Sequence, residues 1–412
     1  MNAPRPRVIF VNRVYRPSTS ATAQLLADLA EGLAAADFAV HVIAAGQESG
    51  LLDGVQVHRT GAGEVHAGLW SRAGNYLRFI RQARATLAQL VAPGDVVVPM
   101  TDPPMLGTAL GETVRRRGGL VVQWLQDLYP EIAMAHAGLV PGLPFRLLLG
   151  RRDASLRAAD RCVVLGEDMA QVLGHRGLLA ANVVIQPNWA PRELGVEPDP
   201  AAVAARRRAW GVEGKFAVVY SGNLGRVHEF DTILGAAERL ASRADIAYLF
   251  VGGGARLADV RKRVAARRLA RVRFEAAVPR GELPVSLAAA DAHLVTLQPG
   301  FDGLVFPSKL AGALASGRPV LFTGSTASEI ARLLDRSQCG AAIAAGDPAA
   351  LAATIEAWAA DRARVRDLGA RARSTFAEHF AFSGALRRWE QLLGDLAGGR
   401  QRGCLGRDHL AR

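Results

Sequence analysis

Three lysines, Lys215, Lys262 and Lys309, stand against 47 arginines in this chain, and the last sits where a lone ammonium could do chemistry. Pro307 and Ser308 close a loop, and Lys309 to Ala315 reads as a helix that Ser308 can cap. Gly317 ends that helix before Arg318 and Pro319 lead into a strand. A helix N-terminus presents unpaired N–H groups and a partial positive charge, so a lysine placed there suits phosphate. A solvated lysine at a cap is the other reading of the same spacing.

Further candidates follow strands. Tyr220-Ser221-Gly222-Asn223-Leu224-Gly225-Arg226-Val227-His228-Glu229 is a glycine-containing turn between a strand and a helix carrying Ile233, Ala237 and Leu240. Glycine lets backbone approach a ligand, and Arg226 can grip phosphate with two N–H groups. Gly252-Gly253-Gly254 follows the next strand, and Lys309 emerges two crossovers later, so the three loops are expected to converge at one sheet edge. No Gly-x-Gly-x-x-Gly occurs there, which argues against a dinucleotide dehydrogenase. Gln126-Asp127-Leu128-Tyr129-Pro130-Glu131 also follows a strand, and its two carboxylates could orient a hydroxyl group or could simply cap helices. His136, His175 and His228 form no ligand pair, with His228 the best placed of them. Neither Asp-x-Asp nor His-Glu-x-x-His is present, so no bound metal is expected.

Positioning these loops takes a parallel sheet. Apolar runs at Val8–Val11, Val40–Ala44, Val55–His58, Val96–Pro99, Leu120–Leu125, Cys162–Leu165 and Val183–Gln186 alternate with helical segments. One of these segments carries Leu25, Leu29 and Leu33 as a stripe. Continuous apolar strands separated by helices mean sheets covered on both faces. Residues 187–214, with four prolines and an arginine-rich helix ending near Trp210, read as a connection. The alternation restarts at Phe216–Ser221, Ile246–Val251, Arg271–Glu275, Ala292–Leu297, Val320–Thr323 and Ala341–Ala344. Phe382, Leu386, Trp389 and Leu393 then mark one amphipathic helix. The expected organisation is α/β, two Rossmann-like domains facing across a cleft. These are residues 1–190 and 191–377, followed by a crossover helix over 378–397 and a basic tail over 398–412.

Composition narrows the class. The 412 residues are 50% hydrophobic and 21% charged, which excludes a disordered chain and suits a compact enzyme. The formal charge of +12 would suit phosphorylated ligands, anionic lipid or nucleic acid. Because the arginines are spread evenly, with no aromatic-interleaved basic run, nucleic acid is not expected. Cys162, Cys339 and Cys404 lie far apart, as in a reducing compartment. No apolar run approaches the roughly 20 residues that span a bilayer, so a cytoplasmic protein is expected.

In their order and spacing, these segments resemble retaining glycosyltransferases of family four with the GT-B fold, over nearly the whole chain. The resemblance rests on Gln126 to Glu131, Pro187-Asn188-Trp189, Ser221 to Gly225, Val251 to Gly254, Pro307-Ser308-Lys309 and Ala315 to Val320. In detail it is similar to the branch that makes bacterial surface polysaccharides such as colanic acid and O-antigen. The resemblance implies a nucleotide diphosphate sugar in the C-terminal domain, held by Gly222, Asn223, Gly225, His228, Gly252, Gly253, Asp302 and Ser308. Arg226 and Lys309 would stabilise the departing diphosphate, and Asp127 would position the acceptor hydroxyl. Arg16, Ser18, Thr19, Ser20 and Glu131 are the remaining acceptor-side candidates. No metal or other cofactor is expected. The acceptor would be a saccharide, lipid-linked, which would bring a peripheral contact at the inner face of the membrane through residues 145–152 with Arg78, Arg81 and Arg84.

Two departures accompany the resemblance. Many relatives carry a pair of glutamates where this chain has Leu304 and Gly312, with Asp302 a stand-in for one, and the usual glycine-rich acceptor loop is replaced by Ser18-Thr19-Ser20-Ala21. A nucleotide-sugar epimerase and a non-catalytic nucleotide-sugar-binding subunit are the competing readings.

Overall fold

The computed structural model describes residues 5–61, 69–137 and 142–405. The chain divides into two units: residues 1–187 with 383–412, and residues 188–382.

Unit 1 is an eight-stranded sheet of β1 (Val8–Val11), β2 (Val40–Ala44), β3 (Gly50–Leu52), β4 (Val55–Arg59), β5 (Val96–Pro99), β6 (Leu120–Trp124), β7 (Arg161–Val164) and β8 (Val183–Ile185). Their order is β3-β4-β2-β1-β5-β6-β7-β8. All pairs are parallel except β3 against β4, the short exposed edge strand that the apolar pattern does not reveal. β1, β5 and β6 are buried on both faces, which is why they read as unbroken apolar runs. Leu25, Leu29 and Leu33 of the helix Ala21–Ala35 are buried as the stripe requires.

Unit 2 is a wholly parallel sheet of β9 (Phe216–Ser221), β10 (Ile246–Val251), β11 (Val272–Glu275), β12 (Ala292–Thr296), β13 (Val320–Gly324) and β14 (Gly340–Ala344). Its order is β11-β10-β9-β12-β13-β14. Phe216, Val218 and Tyr220 face one hydrophobic cluster of this unit, and Ala217 and Val219 face another. The order reverses between β9 and β12, the crevice at which open parallel sheets bind ligands. In unit 1 the reversal falls between β1 and β5.

Residues 188–214 are not a free connection. Trp189, Leu194, Trp210 and Val212 are buried, and Arg207 pairs with Asp291 at 3.1 Å while its N–H groups also donate to the carbonyls of Ala289, Val212 and Lys215. Arg207 and these buried side chains therefore fasten the segment to unit 2.

The last helix runs Phe382–Leu405, so the expected tail begins as helix, and residues 406–412 of that tail lie outside the described residues. Trp389 of this helix meets Trp124 and Phe10 edge-on, at ring separations of 5.0 and 6.4 Å. Arg388 donates to Gln186 at 2.8 Å. Trp389 is thus part of the first unit's core. Among the described residues no helix is long and apolar enough to cross a membrane.

Candidate functional site

The loops after β9, β10 and β12 converge. Gly222 N–H donates to Val251 at 2.8 Å, Leu224 N–H to Gly253 at 2.7 Å and Arg256 N–H to Leu224 at 3.0 Å, which ties the first two loops together. Gln298 N–H donates to Val227 at 2.8 Å and brings in the third. Glycine is required for this closeness. A Cβ on Gly252 would stand 2.4 Å from the carbonyl oxygen of Gly222, and one on Gly254 2.3 Å from Asn223 Oδ1, with φ at +130° and +139°. Nothing lies within 4 Å of a Cβ on Gly253, which leaves that backbone open.

Lys309 enters this cradle from the helix Lys309–Ala315. Its Cε would be 3.1 Å from a Cβ on Gly222, and its Nζ lies 5.2 Å from the centre of the Tyr220 ring. Nζ is 3.0 Å from Nε2 of His228, whose Nδ1 lies 2.7 Å from the carbonyl of Thr296. The carbonyl can only accept, so Nδ1 carries the imidazole proton and Nε2 accepts from the lysine. Burial pushes His228 down to about 4, with Lys309 adding to the shift, and keeps the ring neutral. Burial also lowers Lys309 to about 8. Ser308 stands at the start of this helix but is exposed, and its side chain makes no capping bond, contrary to expectation. The cation therefore comes from Lys309 itself rather than from a capped helix end.

Arg226 is exposed on the same loop and pairs with no carboxylate among the described residues. Asn223 is exposed, and Gly225 lies against the Asn223 and His228 side chains. Asp302 is half-buried on the turn Phe301–Leu304. Of the positions where relatives carry glutamates, Leu304 is buried, and a Cβ on Gly312 would meet Leu287 and Leu194 in ordinary contact. The wall there is apolar.

Unit 1 has a different electrostatic character. Asp127 follows β6, and its carboxyl is pushed up to about 6 by burial and by the neighbouring Asp102. Asp102 follows β5 and accepts from Nε and Nη2 of Arg13, which follows β1, both at 2.9 Å. Asp127 lines a cavity of about 30 Å³ with Thr101, Gln123 and Arg152. Glu131 does not join it as an open acceptor contact. Arg152 binds both its oxygens, and Arg152 Nε also holds Asp153 at 2.7 Å. Arg16 pairs with Glu31 at 2.6 Å, Ser18 and Ser20 hydroxyls bond each other at 3.2 Å, and Thr19 is exposed with its carbonyl accepting from Gln24. Neither Arg13 nor Asp102 emerges from motif reading. Their positions immediately after strands flanking the topological reversal are the signal that could have found them.

The glycines, His228 and Lys309 thus gather in unit 2, where neither Lys309 nor Arg226 has a carboxylate partner among the described residues, while Arg16 of unit 1 is paired with Glu31. Among the described residues no group of three His, Cys, Asp or Glu could hold a metal.

Residues 215–361 match the model of the family described as glycosyl transferases group 1. The chain is 31% identical over 266 residues to the probable glycosyltransferase WbjE of Pseudomonas aeruginosa, covering 64% of this chain and 66% of that protein. It is 28% identical over 223 residues to the putative colanic acid biosynthesis glycosyl transferase WcaI of Escherichia coli K12, covering 53% and 54%. The chain thus spans just under two thirds and about half of these relatives' lengths. Among solved structures it is similar to Anabaena HepE in complex with UDP-glucose, with a TM-score of 0.71 at 16% identity, covering 94% of this chain and 99% of that one. The fold is therefore GT-B.

Proposed function

We propose, for a chain that belongs to the group 1 glycosyl transferases through its residues 215–361, that it moves a sugar from a nucleotide diphosphate donor to a saccharide acceptor in the building of a bacterial surface polysaccharide. The observation that carries this reading is Lys309: an amine held against Gly222 by a neutral imidazole, with the uncommitted Arg226 on the same loop. Two cations without carboxylate partners beside open glycine backbone suit a diphosphate. The relatives' names and the UDP-glucose held by HepE support a nucleotide sugar as that diphosphate.

In the proposed reaction the bond between the sugar's anomeric carbon and the diphosphate oxygen breaks, and the acceptor oxygen forms the new bond on the same face. The acceptor proton passes to the leaving diphosphate. Charge grows on that phosphate as the bond breaks. Preorganised donors at such a charge are worth several kcal/mol, the role given to Lys309 and Arg226. Asp127 takes a hydrogen bond from the acceptor hydroxyl and orients it. The acceptor is taken to be lipid-linked and the reaction to need no metal.

The test is thermal stabilisation by UDP-, GDP-, dTDP- and ADP-sugars in the presence of EDTA, followed by the anomeric configuration of any product by NMR. Saturation at one hundred times Kd adds about 2.7 kcal/mol. A response to one nucleotide class, lost in Lys309→Ala, and a product of retained configuration support the reading. No response to any of them refutes it.

A further inference from the structure

Arg13 and Asp102 stand where unit 1 reverses its strand order, on the loops after β1 and β5, and β5 lies beside β6, the strand that leads to Asp127. The backbone alone already joins the first two loops. Arg13 N–H donates to the Asp102 carbonyl at 2.8 Å and Met100 N–H to the Val11 carbonyl at 3.0 Å, while the Arg13 carbonyl accepts from Ala45 N–H at 2.9 Å. The side chains then pair a second time, with Nε and Nη2 of Arg13 on the two Asp102 oxygens at 2.9 Å each. Tyr76, from the helix Leu69–Leu90, lies against the guanidinium with its ring centre 5.5 Å from Cζ. A two-point bond and an aromatic face thus fix this cation where the loops do not need it as a tie.

Beside the pair lies a second carboxylate. Asp102 is close enough to Asp127 to oppose its ionisation, and two such groups hold a proton between them unless a cation neutralises one. The other groups around Asp127 leave that task to Arg13. Arg152 lines the same cavity but is taken up by both oxygens of Glu131, by Asp153 and by the Tyr129 carbonyl. Tyr129 stays a neutral phenol, held up at about 12 by burial and by Asp127, with Tyr76 and Asp102 adding to the shift. Asp127 itself is half-buried, and no hydrogen bond or ion pair among the described residues reaches its carboxyl.

We infer that Arg13 is a positioning residue for transfer that works through Asp102: by occupying both oxygens of that carboxylate, it leaves Asp127 as the ionised, unengaged carboxylate that receives the acceptor hydroxyl. A guanidinium on Asp127 itself would block the hydroxyl. On Asp102 it offsets the neighbouring charge and keeps the Asp127 oxygens open. The two partners pull in opposite directions: Asp102 makes Asp127 a better hydrogen-bond acceptor than an ordinary carboxylate, and Arg13 stops that effect before Asp127 is protonated at neutral pH. The role of the hydroxyl rests on the transfer reading, whereas the coupling of Arg13, Asp102 and Asp127 is a property of the free protein.

Carboxyl carbon-13 NMR of the full chain labelled at aspartate tests it, with the Asp127 signal assigned by its loss in Asp127→Asn. Arg13→Gln should move the Asp127 titration midpoint up by about one pH unit, and Asp102→Asn should move it down by about as much. Arg13→Lys keeps the charge and should restore most of the shift. Arg13→Gln/Asp102→Asn should titrate like Asp102→Asn alone, because the arginine acts only through Asp102. Turnover should follow: Arg13→Gln should lose about fivefold in kcat/KM for acceptor at pH 6 and little at pH 8, with donor-induced thermal stabilisation unchanged. The inference is overturned if the midpoint stays in place in both single variants, if it moves the same way in both as a purely structural tie would have it, or if the acid limb of turnover ignores the shifts. Where Arg13→Gln does not fold, Asp102→Asn decides, and a midpoint that fails to drop overturns the inference. Shifted midpoints without turnover in any protein, wild type included, would uphold the coupling and refute the transfer reading, so the two failures are separately visible.

Discussion

Lys309 Nζ donates to Nε2 of His228 at 3.0 Å, so the one lysine among the glycine loops is held by a neutral acceptor rather than by a carboxylate. A carboxylate would have neutralised it and competed with a ligand phosphate. The imidazole aims the amine and leaves its charge available. Because the Thr296 carbonyl fixes the imidazole proton on Nδ1, the end of β12 sets the orientation of a residue from the loop after β9, which in turn sets the lysine.

Holding a buried cation without a counter-ion costs stability. Lys309 falls from 10.5 to about 8 in the folded chain, so the unfolded chain binds the proton more tightly between those values. The penalty is fully present below pH 8, about 3 kcal/mol, and disappears as pH rises towards 10.5. Lys309→Met is therefore expected to raise the melting temperature of the ligand-free protein at pH 7, to abolish stabilisation by donor, and to reduce kcat/KM at least about a thousandfold. Scanning calorimetry with and without nucleotide sugar checks both directions. An unchanged kcat/KM would remove Lys309 from the reaction.

The same shift predicts the pH dependence of donor binding. A diphosphate beside Lys309 favours the ammonium and raises its pKa above 8, so affinity should be flat below pH 8. Above it, Kd should rise by up to about tenfold per unit until the bound-state value is reached. Calorimetric titration at pH 9 in buffers of different ionisation enthalpy should show proton uptake on binding, and at pH 7 almost none.

Asp127 acts in the opposite sense. Its folded value of about 6 against 3.8 means that the folded chain holds the proton more tightly. The ionised carboxyl therefore costs up to about 3 kcal/mol above pH 6, and that cost is absent below 3.8. Asp127→Asn should stabilise the protein at pH 7 and raise the acceptor KM or lower kcat about tenfold to a hundredfold, with donor affinity unchanged. Wild-type turnover should fall on the acid side with an apparent pKa near 6, and the variant should lack that limb.

The central strands were legible because they are buried on both faces. Val8–Val11, Phe216–Ser221 and Ile246–Val251 read from the sequence as they stand in the fold. Gly50–Leu52 was not, since a three-residue edge strand whose two leucines are exposed is too short to stand out as an apolar run. The prolines and arginines of 187–214 suggested a connection because composition cannot show that Arg207 is spent on Asp291 and three backbone carbonyls. At the site, Lys309 and the glycines were visible as residue types at strand ends. Glu131 also looked available, because its partner Arg152 is 21 residues away and only the packing of two helices joins them. Local spacing locates groups that stay open more readily than it identifies those consumed by distant partners.

Two neighbouring glycines separate what the fold needs from what the ligand needs. A Cβ on Gly254 would lie 2.6 Å from the Leu224 carbonyl oxygen and 2.7 Å from its nitrogen, at φ +139°. Gly254→Ala must therefore displace the loop that Leu224 and Arg256 stitch together, at about 2–4 kcal/mol. Its melting temperature should drop and donor affinity with it. A Cβ on Gly253 meets nothing within 4 Å, so Gly253→Ala should stay within about 0.5 kcal/mol of wild type without ligand. If a diphosphate lies against that open backbone, the added methyl still obstructs it, and stabilisation by donor should shrink although the protein itself is as stable as before. Full donor stabilisation in Gly253→Ala would mean that the ligand does not approach this loop, and would leave the phosphates to Lys309, Arg226 and the loop after β9 alone.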